Sequence, residues 1–138
     1  MTDTPTAPDD APLTALSLEA SLTVADVRRS AAWYRDTLGF TVDREHERDG
    51  RLLAVSLRAG AVRILLAQDD GAKGADRTKG AGFSLQITTA QSIDAIALRA
   101  KQAGASLDSE PFDAFGVRAF RLRDPDGFRL TVSSPRAS

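Results

Sequence analysis

The chain says nearly the same thing twice, and a duplicated supersecondary unit narrows the available folds more than any single motif does. Ser21-Leu22-Thr23-Val24 is echoed by Ser84-Leu85-Gln86-Ile87 at an offset of 63 residues, and Leu38-Gly39-Phe40-Thr41 by Ala103-Gly104-Ala105-Ser106 at an offset of 65. Each copy opens with a period-two pattern. Leu18, Ala20, Leu22 and Val24 alternate with Glu19, Ser21 and Thr23, and Phe83, Leu85 and Ile87 alternate with Ser84, Gln86 and Thr88, as expected for strands that bury one face. A helical stripe follows each strand. In the first copy Asp26 suits the N-cap, Val27, Ala31, Tyr34 and Leu38 form the stripe, and Gly39 ends it. In the second copy Thr89 or Ser92 is the cap, Ile93, Ile96, Ala97 and Ala100 the stripe, and Gly104 the end.

Three further strands complete each copy. In the first, residues 40–46 and 51–57 flank an Asp49-Gly50 hairpin signal, and 62–68 follow the Ala59-Gly60 turn. In the second, 105–109, 117–123 and 128–133 are separated by an irregular stretch around Pro111 and by Asp124-Pro125-Asp126-Gly127, a turn in which Pro fixes φ and Gly permits a positive one. The expected fold is α+β, with tandem βαβββ modules whose curved mixed sheets form a cup. Residues 17–134 make one domain, divided into module one (17–68), a mobile connector (69–81) and module two (82–134). Residues 1–16, rich in Thr, Pro, Ala and Asp, read as a disordered lead-in without a basic start or an apolar stretch, so the default location is the cytoplasm.

Composition matters mainly for what it excludes. The 138 residues fit one core, and 42% hydrophobic with 27% charged residues is ordinary for a globular chain. No cysteine is present, so disulfides and thiolate metal sites are ruled out. A formal net charge of −1 provides no general field for phosphate backbones, and no apolar run approaches the roughly 20 residues of a bilayer span, so neither nucleic acid nor membrane is expected as a partner. The glycine-rich segment 71–80 lacks the Gly-Lys-Ser/Thr element of a phosphate loop. The one histidine, His46, sits in a charged run and reads as an exposed hairpin residue; it has no nucleophile elbow to serve.

The tandem βαβββ pattern, with Asp26, Trp33-Tyr34-Arg35-Asp36, Leu38-Gly39-Phe40 and Asp124-Pro125-Asp126-Gly127, resembles the vicinal oxygen chelate superfamily over roughly 17–134. That superfamily includes glyoxalase I, methylmalonyl-CoA epimerase, extradiol dioxygenases, fosfomycin-resistance transferases and metal-free bleomycin-binding proteins, so the resemblance implies a fold and leaves the function open. It also implies four metal-ligand positions, which fall here at Glu19, about Ile64, about Ser84, and Thr131. A slip of one residue would substitute Arg63 or Leu65, Phe83 or Leu85, none a better donor. One carboxylate, an isoleucine and two hydroxyls are a poor set for a divalent ion, so the expectation is a lost metal site and no cofactor.

What remains is a polar trough. Alternation places Glu19, Ser21, Ser84, Gln86, Arg129 and Thr131 on the face opposite the helices, and the ligand-lining candidates are these together with Ile64, Phe115 and Arg118. Glu19 is the one candidate for a catalytic base, and its blander role is an ion pair with Arg118 or Arg129. Trp33 reads as core or dimer contact. The leading expectation is a metal-free small-molecule binding protein, a homodimer of the drug-sequestering kind. The alternatives are a divergent lyase, isomerase or dioxygenase using Glu19 or a degenerate metal site, and a protein interaction module.

Overall fold

A computed structural model describes residues 11–74 and 78–136. Most of the expected lead-in and the middle of the connector therefore lie outside the described residues; residues 11–16 carry neither helix nor strand.

Module one is β1 (Ala20–Val24), α1 (Val27–Leu38), β2 (Thr41–Arg48), β3 (Arg51–Ala59) and β4 (Val62–Gln68). Module two repeats it as β5 (Ser84–Thr88), α2 (Ile93–Gln102), β6 (Leu107–Ala114), β7 (Val117–Arg123) and β8 (Arg129–Pro135). The helix boundaries follow local chemistry. Asp26 Oδ1 accepts from the Arg28 and Arg29 amides at 3.1 Å each, and Gly39 takes φ 79° while its N–H bonds the Arg35 carbonyl. That positive φ is open to glycine at little cost. Ser92, the second of the two caps considered for α2, accepts from the Ala95 amide at 3.2 Å.

The sheets run β1-β4-β3-β2 and β5-β8-β7-β6. In each, the first strand pairs in parallel with the last and the rest are antiparallel. β6 departs from expectation. It continues through Pro111 to Ala114, with register breaks on either side of Ser109 that absorb the proline at the edge of the sheet.

The helices lie against one face of each sheet and against each other. Leu22, Val24, Tyr34, Leu57, Leu66, Phe120, Leu122 and Leu130, all at most 2% exposed, belong to one core cluster that spans both modules. The opposite, polar faces of the two sheets therefore turn away from that shared core. Trp33 packs edge-on against Tyr34 at 4.9 Å on the core's margin, in keeping with a packing role.

The turn at 124–127 ties the modules together. Asp124, 5% exposed, accepts from the Tyr34 hydroxyl (2.8 Å) and from the Asp126 and Phe128 amides (2.9 Å each). Asp126 accepts from the Ala25 amide (2.9 Å) and the Ser30 hydroxyl (3.3 Å) at the start of α1. Burial pushes the Asp124 carboxyl above its ordinary range despite these donors, and burial, reinforced by Asp124, pushes the Tyr34 phenol up. The connector is pinned at both ends by a Lys79–Asp69 ion pair of 2.9 Å whose side chains are 8% and 13% exposed. Gly80 follows, packed so closely on Phe128 that a Cβ would lie 3.0 Å from the Phe128 Cα.

Candidate functional site

Two shallow hollows occupy the polar faces, one per module. The first, about 240 Å³, is bordered by Glu19, Asp43, His46, Ser56, Arg63 and Ile64. The second, about 330 Å³, is bordered by Ser84, Gln86, Asp108, Arg121, Arg129 and Thr131. The four positions that the resemblance marks for a metal are thus split, Glu19 and Ile64 in one hollow and Ser84 and Thr131 in the other. Within one chain, the trough expected to unite these positions is two separate hollows.

Several candidates need correction. Ile64 is 3% exposed and part of the core cluster, so its side chain faces the helices. The polar-face residues of β4 are its neighbours Arg63 and Leu65, because side chains alternate along a strand. Arg118 shares the helix-side parity of Phe120 and Leu122. It is held by Asp94 at the start of α2 (2.8 Å) and by Asp113 (3.0 Å), away from the hollow. Hydrogen bonds to those two carboxylates raise its pKa, and its own hydrogen bonds lower theirs. Phe115 sits at the tip of the β6–β7 hairpin with φ 52° and is fully exposed, so it lines neither hollow in its own chain.

Glu19 has neither of the ion-pair partners expected for it. Its nearest cation is Arg63, at 4.0 Å, with both side chains about half exposed. Such a pair contributes at most about 1 kcal/mol, so Glu19 is not locked in place. Ser21 is exposed on β1 beside Leu65. In the second hollow Ser84, Gln86 and Thr131 lie side by side. The Gln86 amide donates to the Ser84 hydroxyl at 2.9 Å and to the Thr131 hydroxyl at 3.4 Å, and Arg129 flanks them.

Sequence reasoning missed His46. It is half-buried on β2, shares a 3.2 Å hydrogen bond between Nε2 and the Ser56 hydroxyl, and borders the same hollow as Glu19. An uninterrupted hairpin from the Asp49-Gly50 turn would set His46 opposite Leu53; a bulge between His46 and Glu47 sets it opposite Ala54 instead. A one-residue slip exchanges the faces, and no apolar alternation in Thr41–Arg48 signals it. Sequence reasoning also missed Arg121, whose guanidinium lies 4.9 Å over the Phe112 ring beside the second hollow.

Two larger hollows lie elsewhere. One of 410 Å³ separates the modules around Leu38, Phe40, Val62, Ile87, Ile96 and Arg99, and one of 530 Å³ lies between the start of α1 and the β2–β3 hairpin. In the latter, Asp26 and Gln68 are occupied in capping and bridging backbone groups. Volume alone therefore does not single out either as the functional site. Among the described residues no three His, Cys, Asp or Glu side chains converge as a metal cluster, and no helix is long and apolar enough to cross a membrane.

The fold is shared with solved structures of low sequence identity. TioX from Micromonospora sp. ML1 is 18% identical with a TM-score of 0.69, covering 88% of this chain and 99% of that one. TnmS3, an antibiotic binding protein from Streptomyces sp. CB03234, is 19% identical with a TM-score of 0.69, covering 89% and 99%. A glyoxalase/bleomycin resistance protein/dioxygenase from Nocardioides is 16% identical with a TM-score of 0.68, covering 94% and 89%. No curated protein matches the sequence. The family model for the Glyoxalase/Bleomycin resistance protein/Dioxygenase superfamily matches residues 16–132. With most of its length matched by that model and its fold shared with those structures, the chain belongs to the glyoxalase/bleomycin resistance protein/dioxygenase superfamily.

Proposed function

We propose that the protein is a metal-free small-molecule binding protein whose cup is completed in a homodimer, module one of each protomer facing module two of its partner. The observation that carries this reading is the contrast between sheet edges. The outer edge strands are defended against pairing: β2 reads Thr-Val-Asp-Arg-Glu-His-Glu-Arg, and β6 carries three acids, a proline and two register breaks. The inner edge strands β1 (Ala-Ser-Leu-Thr-Val) and β5 (Ser-Leu-Gln-Ile-Thr) hold no charge and no proline, and each has one free side. Those are the strands that carry Ser21, Ser84 and Gln86, with Glu19 just before β1. Joining β1 to the partner's β5 would merge the two hollows.

Size supports the merger. A drug-sized ligand calls for roughly 300–1,000 Å³. Hollows of 240 and 330 Å³ are marginal alone and sufficient together. The donor set argues for a cup without metal. Glu19 stands beside a guanidinium, the polar face of β4 presents Arg63 and Leu65, and Ser84 and Thr131 are neutral hydroxyls, a set that repels or underpays a divalent ion. TnmS3, described as antibiotic binding, has the same fold. Binding by complementarity requires no reacting group.

Three measurements on untagged protein test the reading. Sedimentation equilibrium is expected to give a dimer, elemental analysis no stoichiometric Ni, Zn, Mn, Fe or Co, and a thermal-shift panel of aromatic natural products at least one stabilising compound. A monomer or a stoichiometric metal would overturn it. One observation favours a second reading: His46 and Glu19 border the same hollow, an arrangement usable for proton transfer. Under that reading Glu19→Gln or His46→Gln abolishes turnover of a compound whose binding is largely kept.

A further inference from the structure

The cup reading leaves open what kind of molecule enters, and the charges on the module-two face bear on that. β7 and β8 pair with Arg121 opposite Thr131 and Arg123 opposite Arg129, so three guanidiniums share one face and Arg121 is the diagonal neighbour of Arg129. Like charges on facing positions destabilise a sheet unless something neutralises them. Asp108 neutralises one, binding Arg123 at 2.8 Å. Arg121 and Arg129 border the hollow, and neither is among the ion pairs found among the described residues. Elsewhere on the surface Arg35, Lys101, Arg118 and Arg136 each have a carboxylate.

The Arg121 guanidinium lies 4.9 Å from the centroid of the Phe112 ring, a cation–π contact that favours this placement of the group. Between the two arginines the floor is Thr131, with Gln86 and Ser84 beside it, all small hydrogen-bonding groups. Across the proposed seam the partner's half contributes two carboxylates. Glu19 already faces Arg63, which leaves Asp43 as the remaining counter-charge among the described residues of that hollow. Counted with Arg123, the merged face sets four arginines (Arg63, Arg121, Arg123 and Arg129) against Glu19, Asp43 and Asp108, an excess of one positive charge against which an anion is the natural complement.

Resting on the proposed cup, we propose that its module-two half is an anion subsite, where Arg121 and Arg129 clamp the carboxylate of a singly charged organic acid whose body extends over the seam into the module-one half. A planar guanidinium matches a carboxylate in geometry as well as charge. A single negative charge matches the one cation left once Asp108 and the partner's Asp43 are set against the three arginines of this face. The aliphatic stems of the two arginines offer apolar contact to the ligand body.

The test compares 2-naphthoate with its uncharged amide, 2-naphthamide, by calorimetric titration of the full chain. The acid is expected to bind at least about tenfold more tightly, and Arg121→Gln and Arg129→Gln each to cost about tenfold for the acid with little change for the amide. Arg29→Gln, an exposed charge removed from α1, controls for net charge. Thermal melts of the three variants verify that each folds. Equal binding of acid and amide, or an acid preference that survives both cup substitutions, would overturn the anion clamp and leave the cup intact. Failure of both compounds to bind would overturn the cup reading and the clamp with it.

Discussion

Tyr34 and Asp124 show how a recognisable motif can serve structure before function. Removing the phenol's donor by Tyr34→Phe strips one bond from a buried carboxylate, and a loss of about 1–3 kcal/mol is expected in urea unfolding. Asp124 also gives a pH test. Its folded-state pKa is raised, so its contribution to stability is fully present below the unfolded value and is lost as pH rises through the folded one. Asp124→Asn removes that titration. The stability of the native protein relative to Asp124→Asn should therefore rise as pH falls from about 7 to about 4, and parallel curves would contradict the assignment. None of this clamp is legible from spacing alone. The turn chemistry of Asp124-Pro125-Asp126-Gly127 is local and readable, but Asp126 reaches Ala25 across 101 residues of sequence.

The elements were the readable layer. Period-two alternation, the Asp26 cap and the Gly39 terminator all depend on neighbours within a few residues, so their sequence signals survive intact. Faces were harder to read. Ile64 borders the module-one hollow but sends its side chain into the core, since neighbouring side chains along β4 take opposite faces, and a bulge in β2 decides the face of His46. Arg118, a trough candidate by sequence, lies on the helix side in the parity of Phe120 and Leu122, where Asp94 and Asp113 hold it. The connector provides a test at this scale. Lys79→Met leaves Asp69 in a largely dry setting without that cation, and a loss of about 3 kcal/mol is expected, larger than for the exposed Arg63→Met, which should cost less than about 1 kcal/mol. Similar losses for the two would mean that the connector is not anchored by that pair.

At the scale of the molecule, each chain has a closed interior and an open function. The shared core fixes the two modules helix to helix, and that arrangement points both polar faces outward, each ending at an undefended strand. The duplication that made the fold legible did not reveal this, because two similar modules can meet within a chain or between chains with the same sequence pattern. In the proposed dimer, closed twofold symmetry would give two equivalent cups, each drawing on both protomers.

Complementation between two blocked variants tests that claim most directly. Arg63→Trp fills the module-one hollow and Arg129→Trp the module-two hollow, both at exposed positions off the edge strands. Each variant alone should fail to bind the compound that stabilises the native protein. Co-refolded in equal amounts, half of the dimers are mixed and each mixed dimer has one unblocked cup, so about a quarter of the native binding capacity should return. No recovery on mixing, with both variants folded and dimeric, would contradict a cup shared between two copies.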